Sequence, residues 1–161
     1  MDTPELPENL NSAGRAYYDA LRKLGFDPEG LLWAYDYEAE KFRLWLVWSG
    51  LDRFGPLAMS RLLFRAYRAA ALPTEIDPFT VYVVPPEHVI AQMSEHIIKS
   101  HEEKSQIVET QLQMGSDEID SKPLNLLSTD WIYHIQRKRF NVKKVNRDWR
   151  QFNENIGALA A

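Results

Sequence analysis

Residues 31 to 48 constrain the fold more than any other stretch, because large apolar side chains alternate there on both sides of a polar Glu38-Ala39-Glu40-Lys41 turn. Alternation with period two, broken by a short polar turn, predicts a β-hairpin. Pairing Tyr37 with Phe42 sets Tyr35 opposite Leu44, Trp33 opposite Leu46 and Leu31 opposite Trp48 on one face. The other face then carries Asp36 opposite Arg43, Ala34 opposite Trp45 and Leu32 opposite Val47. The first face is wholly apolar and has to be covered. The second is apolar far from the turn and ion-paired near it. A one-residue slip would exchange the two faces, so the facing of every side chain is tightly specified.

The flanking segments supply the cover. Asn11 or Ser12 can cap a helix over residues 12 to 24, and Gly25-Phe26 suits a left-handed stop with an apolar contact. The first ten residues, with two prolines and several acidic side chains, read as a loose arm. Pro56 suits the first turn of a second helix that runs to about Ala71, ahead of Leu72-Pro73. Phe79 to Val84 reads as a third strand between Asp77-Pro78 and Pro85-Pro86. Strand, helix and strand in succession predict a parallel crossover, hence a mixed sheet. The simplest order places the first strand between the other two, with the third strand antiparallel to it. Residues 87 to 114 predict one long polar helix, and a further short helix is expected around Asp130 to Phe140.

The expected class is therefore α+β: a small three-stranded mixed sheet, made of the hairpin and a crossover strand, covered by helices and followed by a helical C-terminal half. Residues 1–114 form the expected core and 115–123 the linker, on their Gly, Ser, Asp and Pro content. Residues 124–161 are an expected helical extension that packs on the core or on a second subunit. In that extension Val142, Val145, Trp149, Phe152, Ile156 and Leu159 step by alternating threes and fours, the spacing of a heptad seam. Burying such side chains is worth roughly 1.5 to 3 kcal/mol each, so the seam is expected in a core or an interface, and a homodimer is the expected assembly.

Charge then points to function. The chain carries 19 Lys and Arg against 23 Asp and Glu, a net charge of -4, which removes the global basic footprint of a DNA-coating protein. Any nucleic-acid role has to be local. Over residues 131 to 150, seven cations (Arg137, Lys138, Arg139, Lys143, Lys144, Arg147 and Arg150) face the single acid Asp148. Trp131, Tyr133, Phe140 and Trp149 are interleaved with them, and aromatics beside cations can stack on bases. The acidic segment 91 to 130 is the competing partner for this basic run. A second group, Arg61, Arg65 and Arg68, falls at i, i+4 and i+7 on one helix, with Arg53 in the loop before it. Guanidinium forks match phosphate oxygens, while a solvated helix face explains the same pattern without a ligand.

Catalytic and metal patterns are weaker. The absence of cysteine removes disulfides, thiolate metal sites and a Cys nucleophile, and fits a reducing, cytoplasmic setting. No apolar run approaches the roughly 20 residues of a membrane helix. His88, His96 and His101 share a predicted helix at spacings of eight and five, which do not converge on one ion. Asp36, Glu38 and Glu40 beside Lys41 suggest a metal-dependent nuclease, but Ala39 stands where an acid-x-Lys pattern needs the acid. Turn solvation and the Asp36 to Arg43 pair account for these acids. No catalytic residue, metal or cofactor is assigned. The leading expectation is a non-enzymatic interaction or regulatory module with a protein partner, acting through its helical half. A nucleic-acid-binding protein using residues 137–150 stands beside it, and a metal-dependent enzyme comes third.

Overall fold

The computed structural model describes residues 3–100, 107–111, 123–136 and 139–159. Helix α1 (Glu8–Lys23) is followed by strands β1 (Gly30–Asp36) and β2 (Lys41–Val47), then helices α2 (Leu51–Phe54) and α3 (Pro56–Arg68). Strand β3 (Val81–Val84), helix α4 (Val89–Ser100), strands β4 (Ile107–Gln111), β5 (Pro123–Ser128) and β6 (Ile132–Ile135), and helix α5 (Val142–Leu159) complete the order. The class is α+β with a mixed sheet. Among the described residues, no helix is long and apolar enough to cross a membrane.

Helix α1 begins one turn earlier than expected, because Pro7 holds an extended conformation whose carbonyl accepts from the Leu10 and Asn11 N–H groups. It ends as its sequence predicts. Gly25 takes a φ of +83°, its N–H donates to the Arg22 carbonyl, and the Phe26 N–H reaches back to Leu21. This left-handed closure satisfies carbonyls the helix end would otherwise leave open, and it delivers the Phe26 ring into the core. Near its start α1 comes so close to the sheet that a Cβ on Gly14 would collide with Tyr133 Oη and Trp33 Nε1. Through that gap Trp33 Nε1 donates to Tyr133 Oη at 2.9 Å, which donates in turn to the Asn11 carbonyl at 2.6 Å.

The hairpin keeps the predicted faces with a register two residues tighter: Trp33 lies opposite Leu44, Tyr35 opposite Phe42 and Asp36 opposite Lys41. The turn decides this. Asp36 Oδ1 accepts from the Glu38 and Ala39 N–H groups, which closes the loop over residues 37 to 40. Arg43 then bonds Asp36 diagonally at 2.7 Å. A shift of two residues leaves each side chain on its own face, so the alternation could not detect it.

The sheet has six described strands in the order β3-β2-β1-β5-β4, with β6 also on β1. Three strands were expected, with the third antiparallel to the first. The expected parallel crossover is present, but β2 and not β1 lies in the middle: β3 pairs with β2, Leu44 beside Val81 and Val47 beside Val84. The far edge of β1 is taken by β5 at Tyr35 and Asp36 and by β6 at Gly30 to Leu32, so β3 pairs with the outer edge of β2. A 3-10 turn at Thr129–Trp131 interrupts what is otherwise one strand along that edge. Where a helix was expected around Asp130 to Phe140, Ile132–Ile135 forms strand β6 instead, and Ile107–Gln111 of the expected long helix forms strand β4, α4 ending at Ser100. Helical periodicity misleads there because strands of four or five residues are too short to carry a clear period of their own. The expected linker lies outside the described residues up to 122, and Pro123 opens β5.

Helices cover both faces. Leu31, Trp33, Leu44 and Leu46 pack with α1, α3 and α5 through Tyr17, Leu21, Met59, Leu62 and Phe152. Leu32, Ala34, Trp45 and Val47 pack with α4 through Ile90, Ala91 and Ile97.

Candidate functional site

Helix α5 is amphipathic, and its seam is divided. Val145, Phe152 and Ile156 are buried in the core beside Phe26, whereas Val142 and Leu159 at the two ends are 41% and 56% exposed. Trp149 lies between these extremes, its ring stacked on Phe54 at 4.5 Å and on Trp48 at 5.7 Å. The covered part of the seam therefore packs against the chain's own hairpin and α3 layer.

Packing in this direction turns the cations of α5 outward, with one exception. Lys144 reaches Asp148 at 2.8 Å and Asp27 at 3.3 Å. Burial opposes its charge, but the hydrogen bonds it donates to both carboxylates and their negative charge outweigh it and hold its ammonium above the usual lysine range. Lys144 is thus a strut between α5 and the loop after α1. Arg139, Lys143, Arg147 and Arg150 are exposed, and of these only Arg147 comes near a carboxylate among the described residues, Asp148 at 3.9 Å. Arg137 and Lys138 lie outside the described residues.

The other arginine group lies on the neighbouring helix. Met59, Leu62, Leu63 and Ala66 face the core from α3, which leaves Arg61, Arg65 and Arg68 exposed, as is Arg53 in α2. Phe54 just before α3 meets Trp149, and the Arg65 guanidinium lies over Gly157, 4.0 Å from where a Cβ would sit. Those two contacts make α3 and α5 run side by side in the same direction. Arginines about 80 positions apart in sequence thereby share one helical layer.

At the start of this layer the surface opens into a cavity of about 780 Å³. Its walls come from three segments: Ser49, Asp52 and Arg53 after β2, Pro86 and Glu87 after β3, and Arg139, Phe140 and Val142 before α5. The first wall is held from behind. Glu29, 6% exposed, accepts from the Ser49 N–H at 2.9 Å and from the Ser49 hydroxyl. The Trp48 N–H donates to the Val84 carbonyl at 3.0 Å, which ties the ends of β2 and β3 together. Arg53 and Arg139, one from each predicted basic group, meet at this cavity.

No family model, curated protein or solved structure matches this chain.

The other sequence candidates have structural duties. Asp36 is consumed by the hairpin turn and Arg43. His88 sits before α4 with Nδ1 accepting from the Ile90 N–H, and His96 is exposed; His101 lies outside the described residues. Among the described residues no three His, Asp or Glu side chains gather as a metal site. The part of Glu29 and Glu87 was missed at the level of sequence. The signal for Glu87 was present: a parallel crossover sends the residues after β2 and those after β3 to the same end of the sheet.

Proposed function

We propose that the protein is a non-enzymatic interaction module that uses the outer face of its α3–α5 layer to hold the phosphate backbone of a nucleic acid. The supporting observation is the gathering of Arg61, Arg65 and Arg68 with Lys143, Arg147 and Arg150 on one layer, exposed and, Arg147 apart, out of ion-pairing reach of described carboxylates. The predominance of arginine favours phosphate, whose oxygens fit the guanidinium fork. A chain with a net charge of -4 that concentrates its cations in this way has a local attractive field despite its overall sign.

The test is fluorescence anisotropy with mixed-sequence duplex DNA and single-stranded RNA at about 50 mM and about 200 mM salt. Phosphate contacts predict a steep loss of affinity as salt rises, with each contact adding about 0.9 to the logarithmic slope on duplex DNA. Replacing Arg147 and Arg150 by Ala should lower that slope by about 2 and leave the circular dichroism spectrum unchanged. Absence of binding at the lower salt removes the reading.

A further inference from the structure

The cavity beside this layer has a position and a chemistry of its own. Strands β2 and β3 are the parallel pair of the sheet, and the chain leaves them in opposite directions. After β2 it turns onto the face covered by α3; after β3 it turns onto the face covered by α4. Two parallel strands whose following segments diverge leave a crevice outside their carboxyl ends, the place where open sheets with helices on both faces bind small molecules. The 780 Å³ cavity lies there, a size within the roughly 300 to 1,000 Å³ of small-molecule sites.

Its lining selects among small molecules. Arg53 and Arg139 come from different walls and can grip one anionic group between them. Asp52 and Glu87 balance those charges, so a bare polyanion gains little, while a ligand that also carries hydroxyl or amino donors satisfies both carboxylates. Phe140 supplies the third element. It lines the cavity and is 57% exposed, so its ring is accessible to a flat partner. Anion, donors and flat ring together describe one class of ligand. We propose that this crevice binds a nucleoside monophosphate, with the phosphate on Arg53 and Arg139, the sugar hydroxyls on Glu87 or Asp52, and the base on Phe140.

The inference stands apart from the backbone-binding reading, and the experiment separates the two. Isothermal titration of the full chain with AMP, GMP, CMP and UMP, and with inorganic phosphate, should show binding of at least one nucleotide and much weaker binding of phosphate alone. Arg53→Gln and Arg139→Gln should each lower nucleotide affinity about tenfold or more. Phe140→Ser should lower it about tenfold and leave the response to inorganic phosphate unchanged, which a general loss of fold could not produce. The Arg147→Ala, Arg150→Ala double variant should bind the nucleotide as the parent does. Failure of all four nucleotides to bind at low salt overturns the proposal. So does a nucleotide affinity insensitive to the Arg53, Arg139 and Phe140 variants, or one abolished by the Arg147 and Arg150 pair.

Discussion

His88 shows how one side chain couples local structure to solution conditions. Its Nδ1 accepts from the Ile90 N–H at 3.2 Å, so it closes the first turn of α4, and its ring lies against Trp45 at 5.4 Å. Burial pushes its pKa below the ordinary 6.5, because desolvation disfavours the imidazolium. The unfolded chain therefore binds the proton more readily than the folded one. Stability from this group is full above 6.5 and declines as pH falls through the lower folded value. Thermal midpoints followed from about pH 8 to about pH 5 should decline, and His88→Asn should flatten the decline. Equal slopes for the two proteins would show that the decline comes from other groups. The sequence marked His88 only as one of three histidines without metal spacing. Its capping role depends on the neighbouring wall of Trp45, which no local pattern contains.

At the scale of the element, α5 separates what periodicity reveals from what it leaves open. The steps of three and four identified one face over six positions, and the middle of that face is indeed in the core. The ends are wet, because the segment 24–27 and α3 cover the middle of the helix: Asn155 Nδ2 bonds the Leu24 carbonyl and Phe152 packs on Phe26. Phe152→Ala should therefore cost about 3 to 5 kcal/mol in urea unfolding, through lost burial and the cavity left behind. Val142→Ala and Leu159→Ala should stay within about 0.5 kcal/mol. Comparable losses at all three positions would mean that something in solution covers the helix ends. The hairpin teaches the same lesson about register. Its alternation identified both faces, yet the pairing was decided by two N–H groups on the Asp36 carboxylate.

For the molecule as a whole, the decisive event is the arrival of β5 and β6 on the open edge of β1. That pairing gives β1 a neighbour on each side and buries Leu126 in one core and Leu127 in the other. Amide hydrogen exchange should find the β1 amides among the slowest, since their opening requires disrupting both halves of the sheet. A chain ended before Pro123 loses β5, β6 and α5 together, and with them the Phe152 and Ile156 cover of the Leu31 face. It should lack a cooperative thermal transition, whereas a separately folding core of residues 1–114 would retain one.

The sequence by itself determined the α+β class, the two-faced hairpin, the Gly25 helix stop, the apolar seam of α5 and the two arginine groups. Each is written in residues near one another in the chain, through alternation, helical spacing, capping chemistry or charge count. Tertiary structure alone decided the hairpin register, the place of β3, the pairing of Pro123–Ser128 and Ile132–Ile135 as strands on β1, which part of the α5 seam is covered, and the placing of Arg53 and Arg139 at one cavity. These depend on which edges and faces remain open once other segments have docked. That competition is settled by long-range contacts, and a local pattern carries no record of it.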